Sequence, residues 1–400
     1  MIRVDTSVTH IQQGGRGVTY REPQPFTVAE YEGRIANVRK GMHAHGLDAL
    51  LLTTPENVYY LTNHHTPAYD AFQALLLPLE GEPTLITPLI EELIGRGHSW
   101  VERFATYPHG APALSAVRTA VGDARLDRGC LGVELGSAFL SVRTYQGLVA
   151  QFPAASFRDA SGLVEGERAV KSDQEIAYIR QAARVAEAGL RAGIEAAEVG
   201  RADLDVAAAV HAAIFRAGGE YMSYPPFIAV GLRSSLAHNT WGGKRLEPGD
   251  VVFLELSGVV QRYGAALMRC VMLGPTPPEL ARRNQIVHEV LEATLEAIRP
   301  GTTSGEVDRV CREAFLRRGY RVLKRAGYSM GINFPPGWGE GAVLDLSDGN
   351  PTVLRPGMVF HIPQPYRVPG EQTVATSETV LVTATGREVL TQFPRELFRK

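Results

Sequence analysis

Residues 251–270 read VVFLELSGVVQRYGAALMRC, and a single carboxylate, Glu255, lies inside this run of apolar and β-branched residues. A continuous apolar run of this kind is typical of a strand buried within a sheet. Removing a carboxylate from water is costly, so a buried acid is paired, has a shifted pKa or takes part in chemistry. The fold must therefore bury this strand and either pair Glu255 with another group or place it where it takes part in a reaction.

The composition is that of a globular protein with ample core material. The 400 residues are comfortable for two domains, and 44% of them are hydrophobic while 21% are charged. Lys and Arg (41) nearly balance Asp and Glu (43), which gives no electrostatic basis for binding nucleic acid or an anionic membrane. We therefore expect a small-molecule substrate and neither a nucleic-acid nor a membrane partner.

The three cysteines, Cys130, Cys270 and Cys311, are too few for a disulfide framework and favour a reducing compartment. The first residues, MIRVDTSVTHIQQGGRG, lack the order of a signal peptide, and no apolar run approaches the ~20 residues that span a bilayer. The sequence therefore predicts a cytoplasmic protein.

The chain divides into an arm and two domains. Residues 1–26 are polar and irregular, and we interpret them as an N-terminal arm. Over residues 27–165, apolar runs such as LDALLLTT and CLGVEL alternate with helical patterns, which predicts a small α/β domain. Residues 166–400 begin with a long helix opened by a capping box at Ser172 and Glu175. Further helices between two sets of strands make this second domain α+β.

Several separated motifs of the second domain occur in a characteristic order. They are a KS-x-x-E-I helix start at 171–176, the acid strand, GYSMG at 327–331, GMVF at 357–360 and SETVLVT at 377–383. This order resembles the pita-bread family, which includes methionine aminopeptidase, aminopeptidase P, prolidase and creatinase. The resemblance implies an α+β chain with a C-terminal pita-bread domain, a smaller N-terminal α/β domain of the creatinase/prolidase type, and a homodimer.

In the peptidase members, two metal ions are held by two Asp, one His and two Glu. By resemblance, these positions fall on Glu255, Ala266, Tyr328, Pro363 and Glu378. Alanine and proline offer no side-chain ligand, and tyrosine is a weak one. The resemblance therefore predicts that this site holds no metal and that the protein needs no cofactor.

Other motifs resemble members that work without metal. The proton-shuttling His of creatinase falls on His238, in SSLAHNTWGG. The stretches GYSMGINFPPGWGEG and FLELSGVVQRYGAALMRC resemble those of bacterial ectoine hydrolases, metal-free enzymes that open a cyclic amidine carrying a carboxylate. Those enzymes carry a polar Y-H-C-P-L-S-R after the acid strand where this chain has YGAALMR, so the resemblance does not fix the substrate.

These positions predict a C–N hydrolase of a small zwitterionic amidine, guanidine or amide. Glu255, His238 and Glu378 are the predicted catalytic residues, converging on one pocket. The two carboxylates would bind the cation, and one would act as nucleophile or general base on the central carbon. His238 would carry a proton to the leaving nitrogen.

Five further residues are predicted to bind the substrate. Tyr328 would offer a hydroxyl, and Trp241 and Trp338 would cover the cation unless they pack in the core. Arg233 would bind a substrate carboxylate, and His361 is the weakest candidate because a lone His on a strand is usually a core residue. In the creatinase branch, the turn that carries His64, His65 and Asp70 here can reach the site of the partner subunit.

Alternatives to this interpretation stay open. Glu255 could be a structural acid tied to Arg269 or to a backbone amide, and Glu378 an ordinary exposed strand residue. The chain could also be a prolidase-like metallopeptidase that uses Glu255, Glu378, His238 and His361 in an altered metal site. A third alternative, from another class, is a catalytically dead homologue with a binding role.

Overall fold

The computed structural model describes residues 20–322, 324–337 and 339–400. The elements of the first half are α1 (Val28–Ala44), β1 (Ala49–Leu52), α2 (Pro55–Thr62), β2 (Ala74–Pro78), β3 (Thr84–Pro88), α3 (Glu92–His98), β4 (Arg103–Tyr107), α4 (Leu114–Asp123), β5 (Cys130–Val133), α5 (Val142–Gln151), β6 (Ser156–Asp159) and α6 (Leu163–Arg168).

The strands of the first half form one mixed sheet in the order β4-β3-β2-β1-β5-β6. The outer pairs β3–β4, β1–β5 and β5–β6 are parallel, and β1–β2 and β2–β3 are antiparallel. The apolar runs of β1 and β2 are buried along their whole length, as expected for strands covered on both faces. The α/β character predicted for this half is confirmed.

The second half contains four helices and nine strands among its described residues. They are α7 (Asp173–Ala196), α8 (Asp203–Arg216), β7 (Phe227–Val230), β8 (Val251–Val260), β9 (Tyr263–Met272), α9 (Pro278–Ala297), α10 (Ser304–Leu316), β10 (Gly327–Ser329), β11 (Asp345–Leu346), β12 (Val359–Tyr366), β13 (Val374–Val382), β14 (Arg387–Val389) and β15 (Leu397–Arg399). The predicted capping box forms, because Ser172 accepts the Glu175 N–H and the Glu175 carboxylate accepts the Ser172 N–H.

Two sheets build this half, in the orders β15-β9-β8-β7 and β11-β10-β12-β13-β14. One face of the β8–β9 hairpin, including Leu254 and Leu256, packs on α7 and α8. Gly258 allows this close approach, since a Cβ there would lie 2.1 Å from the carbonyl oxygen of Ala182 in α7. The equivalent face of β12 and β13, including Ile362 and Val380, packs on α9 and α10. The opposite face of the β8–β9 hairpin carries Glu255 among buried apolar residues such as Phe253 and Met268.

A buried ionic cluster joins the two halves and holds the loop after β10. The Glu340 carboxylate accepts hydrogen bonds from Arg168 at 2.6 Å and from Lys171 at 2.8 Å. It also accepts the Ile332 N–H at 3.0 Å, and Gly331 packs so closely on it that a Cβ would lie 2.4 Å from an Oε atom. The GYSMG turn is thus held in place by a buried ionic cluster as well as by apolar packing.

The bounds predicted for the arm and the two domains stay predictions. Residues 1–19 of the predicted arm lie outside the described residues, whereas 20–26 pack on the small domain, where the Glu22 N–H donates to the Gly97 carbonyl at 3.0 Å. The predicted division after residue 165 falls inside α6 and stays a prediction. In the described part of the chain, no helix combines the length and apolar character that crossing a bilayer requires.

A second ionic cluster fastens β13 to β9 and to the C-terminal segment. All five N–H donors of the buried Arg269 guanidinium are used, four on carbonyl oxygens and one on Glu378 at 2.8 Å. Glu378 also accepts hydrogen bonds from Arg395 at 2.7 Å and from the hydroxyl of Thr391. Arg269 and Glu378 are both fully buried, so each provides the counter-charge that keeps the other ionised.

Replacing Glu378 by Gln should destabilise the fold, because it leaves the buried Arg269 guanidinium without its counter-charge. We expect a loss of ~3–5 kcal/mol in the free energy of unfolding, measured by urea denaturation. The control is Glu388→Gln, which breaks the half-exposed pair with Arg180 and should cost less than ~1 kcal/mol. Equal losses in the two variants would contradict the assignment of Glu378 as a structural anchor.

Candidate active site

Glu255 lies at the centre of β8, and its neighbours across the ladder are Phe227 in β7 and Met268 in β9. Its side chain is 9% exposed, and no hydrogen bond to its carboxylate is found among the described residues. Burial raises its pKa to about 7, although the positive charges of Arg367 and Lys324 act to lower it. A carboxyl group that titrates near neutral pH is suited to accept and return a proton.

The alternative in which Arg269 neutralises Glu255 is excluded by the strand geometry. Arg269 pairs with Leu254 and therefore leaves the hairpin on the opposite face from Glu255. All of its donors are already used on that face.

His238 lies on the same side of the sheet as Glu255. It is exposed in the loop between β7 and β8, with φ of 56°, and its ring centroid lies 5.3 Å from that of Phe227. Because Phe227 is the direct ladder partner of Glu255, their side chains project from one face. The exposed imidazole of His238 and the carboxylate of Glu255 therefore both neighbour Phe227, and their joint role in catalysis stays a prediction.

A chain of neutral hydrogen bonds lies on the corresponding face of β12 and β13. The Nδ1 atom of His361 is 2.8 Å from the hydroxyl of Tyr328, and its Nε2 atom is 2.8 Å from that of Ser377. The ring is fully buried, and burial together with the charges of Lys324 and Arg325 lowers its pKa to about 3. His361 is therefore neutral and forms hydrogen bonds with two hydroxyl groups. From the sequence, this residue is the weakest substrate-binding candidate, because a lone histidine on a strand is usually an ordinary core residue.

The structure corrects the placement of Glu378 in the pocket. Along a strand, consecutive side chains point to opposite faces, so a step of one residue changes the side completely. Ser377 shares the face of His361, whereas Glu378 shares the outer face with Ile362, its ladder partner, and with Val380. The inner position predicted for a second carboxylate is thus occupied by a serine hydroxyl.

The predicted roles of Arg233 and Trp241 are also corrected. The Arg233 guanidinium donates to the Thr240 carbonyl at 2.8 Å and to the Asn239 side chain at 3.2 Å, so it closes the loop that carries His238. The Trp241 ring contacts His211 of α8 at 5.7 Å and packs with the core under α7 and α8, away from Glu255. Trp338 lies outside the described residues.

Two cations near Glu255 were missed by sequence reasoning. Lys324 lies just before β10 and Arg367 just after β12, and both line a cavity of about 480 Å³. In the sequence, these two residues differ from other basic residues only in that each lies next to a motif strand. Many basic residues lie next to strands, so this position could not identify them.

The residues present do not fit the two-metal set of the peptidase members. Ser377 replaces Glu378 on the face that carries His361. Glu255 is then the one carboxylate among the five positions compared with the metal ligands, and the other four are Ala266, Tyr328, Pro363 and Ser377. Among the residues that the structure describes, no group of three or more His, Cys, Asp or Glu is arranged to hold a metal ion. His361 could supply a nitrogen only by giving up one of its hydroxyl partners.

The histidines of the small domain lie at the junction with the second domain. His64 is buried and bonded to Gln73 at 2.7 Å, and His65 stacks on His98 with ring centroids 4.3 Å apart. They line a cavity of about 40 Å³ that Phe334 also contacts. Their reach across a homodimer, and that of the exposed Asp70, stays a prediction.

Comparison with known proteins agrees with this architecture. Residues 177–384 match the model of Metallopeptidase family M24, and residues 34–170 match the Creatinase/Prolidase N-terminal domain. The chain is 31% identical to an ectoine hydrolase of Halomonas elongata over 94% of its own length and 98% of the relative's. It is 30% identical to an uncharacterized hydrolase/peptidase of Sinorhizobium fredii, again over 94% and 98% of the two lengths.

Solved structures place the same fold on both domains. The prolidase of Pyrococcus horikoshii superimposes with a TM-score of 0.80 at 26% identity, covering 92% of this chain and 100% of the other. A prolidase of Thermococcus sibiricus gives a TM-score of 0.83 at 22% identity, covering 92% and 99%. The predicted fold class and family resemblance are both confirmed, and the chain belongs to the M24 family of hydrolases, with a creatinase/prolidase N-terminal domain preceding a pita-bread domain.

Proposed function

We propose that this protein is a metal-independent hydrolase of a C–N bond in a small zwitterionic amidine, guanidine or amide. The observation that carries the proposal is the state of Glu255, which is buried, free of hydrogen bonds among the described residues and raised in pKa to about 7. A carboxylate that anchored the fold would be paired, as Glu378 is. The similarity to the ectoine hydrolase of Halomonas elongata supports this reaction class.

Glu255 acts best as a general base in this setting. In its ionised form it takes a proton from water while the water oxygen bonds to the amidine carbon, and the C=N electron pair moves onto nitrogen. The proton then passes, through Glu255 or His238, to the leaving nitrogen as its bond to carbon breaks. The products are an amide and an amine, and the base regains its initial state.

The neutral hydrogen-bond chain complements this proton transfer. The hydroxyl groups of Tyr328 and Ser377 are held by His361, which stays uncharged because its pKa is lowered to about 3. Such groups can donate or accept a hydrogen bond as charge moves in the substrate, without adding a charge of their own. The pocket thus needs one titrating acid rather than the two acids expected from sequence.

Replacing Glu255 by Gln should abolish turnover, because the amide keeps the shape but cannot take a proton. We expect a loss of several orders of magnitude in kcat, and a loss of ~10²–10⁴ for His238→Ala. In the wild type, kcat/KM should fall as the pH drops through about 7, where Glu255 becomes protonated. A pH profile flat between 5 and 8, or an active Gln variant, would contradict the role of Glu255.

The same substitution should stabilise the protein at alkaline pH. Because the pKa of Glu255 is raised from 4.5 to about 7 in the fold, its contribution to stability is fully present below pH 4.5 and is lost as the pH rises through 7. Gln cannot ionise, so Glu255→Gln should gain up to about 3 kcal/mol over the wild type at pH 8 and little at pH 5. Urea denaturation at both pH values measures this difference, and a variant less stable at pH 8 would refute it.

Activity should not depend on a divalent metal. The assay is a panel of ectoine-like cyclic amidines, creatine-like guanidines and Xaa-Pro dipeptides, each with and without a chelator. We expect turnover of an amidine or guanidine at the same rate in both conditions. Chelator-sensitive cleavage of Xaa-Pro dipeptides would instead support a metallopeptidase with an altered metal site. If the folded protein hydrolysed no compound of the panel, a catalytically dead homologue with a binding role would be favoured.

A further inference from the structure

The guanidinium of Arg367 is a charged group without an assigned role. It lies 5.6 Å from the centroid of Phe253, a residue on the same face of β8 as Glu255. Its Nε atom is buried and has no hydrogen-bond partner, and no ion pair to this guanidinium is found among the described residues. The Nε atoms of Arg168 and Arg233 are also without a partner, but their terminal nitrogens donate hydrogen bonds, whereas none from the half-buried Arg367 guanidinium is found among the described residues. Arg367 therefore has donors available for a ligand.

The backbone around Arg367 is held rigidly, although its side chain is not. The hydroxyl of Tyr320 donates to the Arg367 carbonyl at 2.7 Å and accepts the Arg367 N–H at 3.1 Å. The Tyr320 ring stacks on Tyr366 with centroids 4.1 Å apart. Because the backbone is already fixed, binding of a ligand has only the side-chain rotamers of Arg367 left to order.

The cavity that Lys324 and Arg367 line is cationic, and the charges of both residues act on Glu255. Its volume of about 480 Å³ lies in the range of small-molecule sites, and three of its lining residues, Arg321, Lys324 and Arg367, are positively charged while none is acidic. The Lys324 ammonium donates to the Pro363 carbonyl at 2.6 Å and to the Arg325 carbonyl at 3.1 Å, so its charge has no anionic hydrogen-bond partner. An unneutralised pair of cations next to one carboxylate is complementary to a ligand that carries both charges.

We propose that Arg367, with Lys324 beside it, binds the carboxylate of the substrate, while Glu255 faces its amidine or guanidine group. This inference rests on the proposed function and narrows it to carboxylated substrates. It takes the place of the predicted Arg233, whose Nη2 atom already donates to Asn239 and Thr240 of its own loop. A guanidinium can bind a carboxylate through two parallel hydrogen bonds, which fixes the orientation of a small ligand.

The test measures binding in the Glu255→Gln background, where turnover cannot interfere. The probes are a six-membered cyclic amidine bearing a carboxylate and its carboxamide analogue, titrated by calorimetry at pH 8. We expect the carboxylate to bind, and adding Arg367→Gln to weaken it ~10- to 100-fold, the usual size of a charge-assisted hydrogen-bonded pair. The carboxamide should bind weakly and equally to both proteins, and Arg367→Lys should retain part of the affinity.

The matched control is Arg283→Gln, since Arg283 also packs on Tyr366 but is already paired with Glu279 and Glu371. It should change neither titration, and an unfolding midpoint for each variant excludes a folding defect. Equal binding of the two probes, an Arg367→Gln loss shared by both, or no binding by folded protein would overturn the carboxylate site. Carboxylate-specific binding without wild-type turnover would support the site while refuting the proposed hydrolysis.

Discussion

The burial of one ionisable carboxylate in the centre of a hairpin is the constraint around which the second domain is arranged. Glu255 has no hydrogen bond from the described residues, and the fold therefore carries an acid whose ionisation is disfavoured. Arg367 and Lys324 offset part of this penalty by their charge without touching it as hydrogen-bond partners. The result is a group poised near neutral pH, which a salt-bridged acid could not be.

The two faces of the sheets in the second half have different roles, one in stability and the other in the proposed chemistry. On the outer face, Arg269 and Glu378 neutralise each other in a fully buried pair that fastens β13 to β9. On the inner face, His361 holds two neutral hydroxyl groups, those of Tyr328 and Ser377. Because the anchoring charges lie behind the sheet, the pocket can keep a single titrating acid.

The sequence predicted most of the fold, whereas the roles of the candidate site residues stay predictions. The apolar run around Glu255 predicted a buried strand, and the capping box at Ser172 predicted the start of the long helix. These features succeed because they depend on local chemistry. The choice between Ser377 and Glu378 failed because the alternation along a strand indicates two faces but does not say which one faces the pocket.

The other errors have the same physical origin. Arg233 and Trp241 lie close in sequence to His238, but one closes the loop and the other packs under α8. Lys324 and Arg367 are distant from Glu255 in sequence and come near it only because the two sheets of the second half pack together. Proximity in three dimensions, which tertiary packing decides, could not be obtained from spacing along the chain.

The most direct test of the account is a titration of the Glu255 carboxyl group itself. Isotope-edited infrared difference spectra, with the Glu255→Gln protein as the blank, follow the protonated and ionised carboxyl bands between pH 4 and 9. The account predicts a midpoint at about 7, in the absence of any substrate or added metal. A midpoint at the ordinary value of 4.5 would contradict it, because the acid would then be solvated or paired rather than poised for proton transfer.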